Sequence, residues 1–278
     1  MHNVALLMTV HHRKAKTLSF LSECFRQMDA LTSDDRYSFT FYLNDDGSKD
    51  GLSVDVADQF PQVKLIKTSG NKYWCGGLRT VWAEASKEGF DYYIWLDYDL
   101  ELRENAFAVL LDNSAFLRDR AIVVGSVADS KGKLIYGGRT RYGKLIEPDP
   151  VIPVACSIMN GNLVLIPKSV FDTLGLMDER YMQYLWDYDY GIRAVKANVT
   201  RVIAPGILAT CERHKELPVW RNPKYSIIQR YGAIGRPKGM PFKQYFLYQR
   251  RNFGFFNALI QFLQLNFKVI FPKRWYLL

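Results

Sequence analysis

The sequence predicts an α/β protein, a mostly parallel central sheet flanked by helices, with a basic amphipathic helical extension at its C-terminus. Two patterns lead there. Over the first hundred residues, short apolar runs alternate with segments of helical period, the arrangement of right-handed βαβ units. Beyond residue 212 the acids vanish: residues 213–278 carry 13 Lys/Arg and one acid, a net of +12, against −3 for residues 1–212. The 278 residues are 48% apolar and 23% charged, which excludes disordered, collagen-like and disulfide-scaffold classes and leaves one large or two small domains. The expected division is 1–212 and 213–278.

Each element has its own signal. Asn3–Val10 reads as a strand, followed by a helix over Lys14–Leu31 with Leu18, Leu21, Phe25 and Met28 at helical spacing. Tyr37–Leu43 is a second strand and Asn44–Ser48 a polar turn, rich in residues that favour turns for local reasons. A short helix over 51–59, a strand over Val63–Lys67, a helix over Gly76–Gly89 and a strand over Tyr92–Leu96 follow. The second half mixes strands (121–126, 133–137, 155–166) with helices (168–174, 187–198). The run Val4–Val10 is too short for a signal segment, and no stretch of 18 uncharged apolar residues predicts a membrane span. Cys24, Cys75, Cys156 and Cys211 lie far apart with no C-x-x-C, which points to reduced thiols and a cytosolic compartment.

Sheets of this kind bind ligands beyond the carboxyl ends of their strands, where this chain places its polar groups. Asp97-Tyr98-Asp99 follows an apolar strand. On extended chain its two carboxylates point one way and Tyr98 the other, and two hard oxygen donors suit Mg²⁺ or Mn²⁺ on a diphosphate. Asp46, in Asn44–Gly51, is a strand-end carboxylate suited to a base or ribose; the segment is no calcium loop, because Ala57 stands where Glu is needed. Asn71–Arg79 brings Gly76 and Gly77 to a helix start, where free N–H groups favour an anion. Trp186-Asp187-Tyr188-Asp189 opens a helix; one carboxylate there can be a general base, or the pair can cap the helix and bridge to Arg193.

The extension carries a different signal. Arg250-Arg251 precedes Phe253–Phe271, in which Asn257, Gln261, Gln264 and Lys268 form one polar stripe on an otherwise apolar helix, followed by Lys273-Arg274-Trp275-Tyr276. Apolar bulk, flanking cations and interfacial aromatics fit a helix lying on a membrane surface. The same pattern also fits a helix packed on the body or in a dimer.

In this order the motifs resemble the family 2 glycosyltransferases of the GT-A fold. The carrying residues are Thr9–Arg13, Asn44–Gly51, Asn71–Arg79, Asp97–Asp99, Asn160–Pro167, Phe171–Glu179 and Trp186–Asp189, within residues 3–215. The resemblance implies inverting, metal-dependent transfer of a sugar from a nucleotide-diphospho-sugar, with UDP- or dTDP-sugars favoured. It implies donor binding by Thr9, Val10, His11, Arg13, Asp46, Trp74, Gly77, Arg79 and Asp97. Asp99 would bind Mn²⁺ or Mg²⁺, with Asp97 and His214 as further candidates. Asp187 would be the base, with Asp189 as the alternative. Asn160, Trp186, Arg250 and Arg251 would meet the acceptor or its phosphates. The implied acceptor is a saccharide on polyprenyl diphosphate, used in bacterial surface-polysaccharide assembly at the inner face of the plasma membrane, with no nucleic-acid partner.

Rival classes leave different marks. A sugar-phosphate nucleotidyltransferase should carry a glycine-rich loop after its first strand, where this chain has Thr9-Val10-His11-His12-Arg13. A non-catalytic sugar-nucleotide binding protein has no use for Asp187. A nucleic-acid binder should interleave aromatics with cations, and a serine hydrolase should show G-x-S-x-G.

Overall fold

Residues 1–33, 35–212 and 217–275 are described by a computed structural model of the chain. In order, its elements are β1 (His2–Val10), α1 (Lys14–Thr32), β2 (Tyr37–Asp46), α2 (Leu52–Gln59), β3 (Lys64–Thr68), α3 (Tyr73–Ala85), β4 (Tyr92–Leu96) and β5 (Glu101–Leu102). Then come α4 (Ala106–Phe116), β6 (Ala121–Ala128), β7 (Leu134–Tyr136), β8 (Gly138–Arg139), β9 (Val154–Ala155), β10 (Ile158–Met159), β11 (Leu163–Pro167) and α5 (Lys168–Leu174). The chain continues through α6 (Trp186–Lys196), β12 (Thr200–Thr210), α7 (Ile227–Ile234), α8 (Phe242–Phe253) and α9 (Phe255–Ile270).

The main sheet runs β3-β2-β1-β4-β11-β6-β12-β5. Strands β1 to β4 pair in parallel, and β11 enters antiparallel between β4 and β6. Alternate residues of β1 serve opposite faces. Val4, Leu6 and Met8 pack with Phe20 and Leu21 of α1 and Leu110 of α4. Ala5 and Leu7 pack with Leu78, Val81 and Trp82 of α3. A strand covered by helices on both faces has to be apolar throughout, as β1 is from Val4 to Met8. From β1 the connections run outward through β2 and β3, and β4 then returns to the other side of β1. That reversal opens a crevice at the carboxyl ends of β1 and β4. Because β11 is antiparallel, its N-terminal end lies at the same edge, with Leu163 opposite Leu96.

Two expectations need correction. The span 155–166 is not one strand; it breaks into β9, β10 and the start of β11, with Cys156 and Ser157 bonding to Arg201 and Arg139 instead of a continuous ladder. Helix α3 begins at Tyr73, three residues before Gly76, so both glycines lie inside it. Gly77 is needed for packing, since a Cβ there would stand 2.0 Å from Thr9 Oγ1 and 2.6 Å from Asn44 Oδ1. The apolar C-terminal stretch Phe253–Phe271 holds one helix, α9, as expected, with α8 before it. Gly254, at φ 91°, ends α8 and starts α9.

Helices α8 and α9 fold back on each other, joined by Asn257 Nδ2 to Gln249 Oε1 (2.9 Å) and Tyr245 Oη to Gln261 Oε1 (3.1 Å). Half of the predicted polar stripe therefore faces α8. Ile234, Leu265 and Val269 make a small core of their own under the extension. The four cysteines are buried and unpaired. Among the described residues, no helix is long and apolar enough to cross a membrane.

Candidate active site

A cavity of about 500 Å³ opens at the reversal of the sheet. Its walls come from Thr9, Val10 and His11 at the end of β1, Asp46 of β2, and Gly70, Tyr73 and Trp74 entering α3. The segment Asp97–Asp99 after β4, Asn160 and Asn162 before β11, and Gln183, Tyr184 and Trp186–Tyr188 entering α6 complete it, with Tyr136, Arg139 and Lys238.

Asp46 is buried and holds the loop beside it. Its Oδ1 accepts from Thr68 Oγ1 (2.8 Å) and the Gly70 amide (2.9 Å), and its Oδ2 from the Lys72 (2.9 Å) and Tyr73 (2.8 Å) amides. The Asp46 carbonyl is 2.6 Å from His11 Nδ1, which donates to it. Four donors occupy the carboxylate, so it shapes the wall. The first amides of α3 are also taken: Tyr73 by Asp46, Trp74 by Gln183 Oε1 (3.2 Å) and Cys75 by the Met182 carbonyl (2.9 Å). The free anion site expected at this helix start is absent, because the chain itself satisfies those donors.

The segment Asp97–Asp99 also departs from expectation. Strand β4 ends at Leu96, so strand alternation no longer applies, and Asp97, Tyr98 and Asp99 all line the cavity. Asp97 accepts from Asn162 Nδ2 at 2.9 Å, and its amide donates to the Asn162 carbonyl at 3.0 Å. Burial, and then the charge of Asp99, push the Asp97 carboxyl well above the usual carboxylate range. Asp99 Oδ1 is buried with no hydrogen-bond partner. Two like charges and an orphaned oxygen leave a place for a cation. Among the described residues no cluster of three or more His, Cys, Asp or Glu could hold a metal by protein ligands alone. The residues therefore fit a cation that takes its remaining ligands from a bound diphosphate, as Mg²⁺ and Mn²⁺ do.

Helix α6 starts from Leu185 at φ 71° and presents Asp187 to the cavity. Asp187 Oδ2 accepts from the Gly161 amide (3.2 Å) and Oδ1 from the Tyr188 amide (2.9 Å). Burial raises this carboxyl to about 6, its backbone bonds offsetting part of the rise. Gly161 makes the arrangement possible: a Cβ there would lie 2.3 Å from the Trp186 ring. Trp186 is fixed in turn by edge-on contacts to Trp74 and Trp95.

Asp189 has a different place. It is 1% exposed and lies outside the cavity lining. It accepts from Tyr181 Oη (3.2 Å) and Asn252 Nδ2 (3.0 Å), and Arg251 stands 3.5 Å away. Arg251 also bridges Asp178 at 2.6 Å, so it ties α8 to the body. Of the two aspartates, only Asp187 faces the cavity. Arg251 and four other expected residues also lie off the cavity lining. Arg13 sits beside Tyr98, Arg79 pairs with Glu179 (3.2 Å), Gly77 is buried under Thr9 and Asn44, and Arg250 is exposed on α8. His214 and Tyr276 lie outside the described residues.

Arg139 and Lys238 were not anticipated. Arg139 donates Nε to Asn160 Oδ1 (2.9 Å) and lies over the Tyr188 ring. It stands in a short strand, and Lys238 in a Pro/Gly turn between the Trp186–Asp189 motif and Arg250, so neither has a local signal. Trp74, by contrast, was expected at the site. Its indole N–H is buried there without a partner.

The family model for Glycosyl transferase family 2 matches residues 6–175, and the chain belongs to that family. It is a glycosyltransferase with the GT-A fold. Among curated relatives are the N-acetylglucosaminyl-diphospho-decaprenol L-rhamnosyltransferases of Mycobacterium tuberculosis strains CDC 1551 / Oshkosh and ATCC 25618 / H37Rv. Each is 26% identical over 211 residues, 65% of this chain and 68% of the relative. Among solved structures, that of GalNAc-T7 with UDP, GalNAc and Mn²⁺ superposes with a TM-score of 0.58 at 14% identity. The match covers 90% of this chain and 50% of that one, and it speaks to the fold alone.

Proposed function

We propose that this chain moves a hexosyl or rhamnosyl group, with inversion, from a UDP- or dTDP-sugar to a hydroxyl of a saccharide carried on polyprenyl diphosphate. The observation that carries the reading is Asp187: a buried carboxylate raised to about 6 in the same cavity as the Asp97–Asp99 pair. A base must accept the proton of the attacking hydroxyl, and its efficiency rises as its pKa nears the working pH. The leaving group is a nucleoside diphosphate, so no second carboxyl acid is required.

Thr9, Val10, His11 and Trp74 border the donor; Asp46 acts through the loop it holds. Mn²⁺ or Mg²⁺ held by Asp99, with Asp97, would neutralise charge on the departing diphosphate. Arg139 and Lys238 bring the described cations of the wall, one to each side of that role: Arg139 favours the ionised form of Asp187, and Lys238 faces the diphosphate. Asn160 and Trp186 border the acceptor sugar. Residues 1–212 carry the transfer, while 213–278 meet the lipid acceptor and the inner face of a bacterial plasma membrane. The mycobacterial relatives, whose names specify a diphospho-decaprenol acceptor, support this acceptor class.

The test is calorimetry with UDP-, dTDP- and GDP-sugars, with and without Mn²⁺, on wild type and Asp99→Ala. Cation-dependent binding of one nucleotide class, lost in Asp99→Ala, is the expected result. A folded protein that binds none of them overturns the reading.

A further inference from the structure

The α8–α9 hairpin holds a second cavity, of about 380 Å³, lined by Phe242, Lys243, Phe246, Leu247, Arg250 and Phe262. Lys243, Phe246, Leu247 and Arg250 recur every three or four residues and so share one face of α8, while Phe262 reaches across from α9. The floor is apolar. Lys243 and Arg250 stand about 10 Å apart along the helix axis, one at each end of it. Both are exposed, and neither is in an ion pair among the described residues. Glu216 is the only acid in residues 213–278, so the extension supplies little to neutralise them.

The surface beside this groove is also apolar. Phe256 is 80% exposed, Leu263 59% and Ile260 53%, along one stripe of α9, while Asn257 and Gln261 of the same helix are turned inward onto α8. A water-facing helix would present the opposite faces. A contiguous exposed apolar stripe flanked by cations fits an anionic lipid interface. On its other side α8 packs against α6: Tyr248 is buried, and after burial itself the charge of Asp187 is the largest influence raising its phenol. The groove is therefore separated from the helix that carries Asp187 by the thickness of α8.

Resting on the transferase reading, we propose that this groove seats the hydrocarbon chain of a polyprenyl-phosphate lipid, with its anionic head on Lys243 and Arg250. The outer face of α9 enters the bilayer from which that chain is drawn. An aromatic-lined slot takes a single hydrocarbon chain, and unneutralised cations at its rim take a phosphate. This gives the extension a selective role as well as an adhesive one: it picks the acceptor lipid out of the bulk anionic lipid around it.

Vesicle flotation separates these roles. Three vesicle types are compared: phosphatidylcholine alone, phosphatidylcholine with phosphatidylglycerol, and phosphatidylcholine with polyprenyl phosphate matched in surface charge to the second. The full chain is expected to bind the polyprenyl vesicles at least tenfold tighter than the charge-matched ones. Phe246→Ser is expected to abolish that preference while leaving phosphatidylglycerol binding in place. Lys243→Glu combined with Arg250→Glu is expected to weaken both. An unchanged thermal midpoint shows that the variants fold. Equal binding of the two anionic vesicles by wild type, or no vesicle binding, overturns the groove. Nucleotide calorimetry on the same preparation keeps the two ideas apart: nucleotide binding without lipid preference sinks the groove alone, and lipid preference without nucleotide binding sinks the transferase reading alone.

Discussion

Asp187→Asn should give a protein that is inactive and more stable, with the gain present only at high pH. Asp187 ionises near 3.8 in an unfolded chain and at about 6 in the folded one, because burial disfavours its charge. At about 1.4 kcal/mol per pH unit, holding it ionised costs the native state on the order of 3 kcal/mol. The sign follows from the raised value. The native state binds the proton more tightly, so the group's contribution is most favourable below pH 4 and is lost as pH rises through 6. Asn, like the protonated acid, carries no charge and keeps an acceptor oxygen for one of the two amides, which the carboxylate takes on separate oxygens. The variant should therefore melt several degrees above wild type at pH 8 in EDTA, and near wild type at pH 4. Its transfer rate should fall by about two to four orders of magnitude. In wild type, kcat/KM should fall tenfold per pH unit below about 6. A variant less stable than wild type at pH 8, or a gain of equal size at both pH values, would refute burial as the source of the raised pKa.

Other substitutions probe the supports of the site. Gly161→Ala puts a Cβ into the Trp186 ring, which Trp74 and Trp95 hold from behind, and should cost about 1–3 kcal/mol in denaturant melts while displacing Asp187. Asp46→Ala leaves the Gly70, Lys72 and Tyr73 amides without their acceptor, and nucleotide affinity should drop at least tenfold by calorimetry as the loop loosens. Arg251→Ala removes a cation from buried Asp189 and from Asp178. Because Arg251 is itself about a third exposed, and Asp189 keeps Tyr181 and Asn252, a loss of about 2 kcal/mol is expected in urea melts.

The fold was legible because its signals are local. Alternating apolar runs and helical stripes located β1, α1, β2, α2, β3, α3 and β4 to within a few residues, and strand ends located Thr9, Asp46, Asp97 and Asp99 at one crevice. What the sequence hid depends on contacts between distant segments. Gly76 and Gly77 look like a phosphate-loop signal, yet Gly77 serves the approach of α3 to Thr9, and the amides beside it are used by Asp46, Gln183 and Met182. The break of 155–166 reflects pairing with β12 and β8, which no residue pattern within the segment announces. Lys238 reaches the cavity only because the extension folds over the body. The polar stripe of α9 is visible in the sequence, but its direction is not, because half of it faces α8, a helix the sequence reading does not identify.

The two aspartates of α6 show how one short segment joins both halves of the chain. Residues two apart on a helix lie about 200° apart around its axis, so Asp187 and Asp189 must look in nearly opposite directions. One faces the cavity, and the other is held by Asn252 and Arg251 beneath the extension. A pair that reads in sequence as two candidates for one role is two roles on one rod. Asp189 therefore fastens α8 to the same helix that carries Asp187. Asp189, clamped by the extension on one face, and Asp187, held by the Gly161 and Tyr188 amides on the other, give the extension a structural path to the cavity. That path runs through a single helix of eleven residues and needs no moving lid.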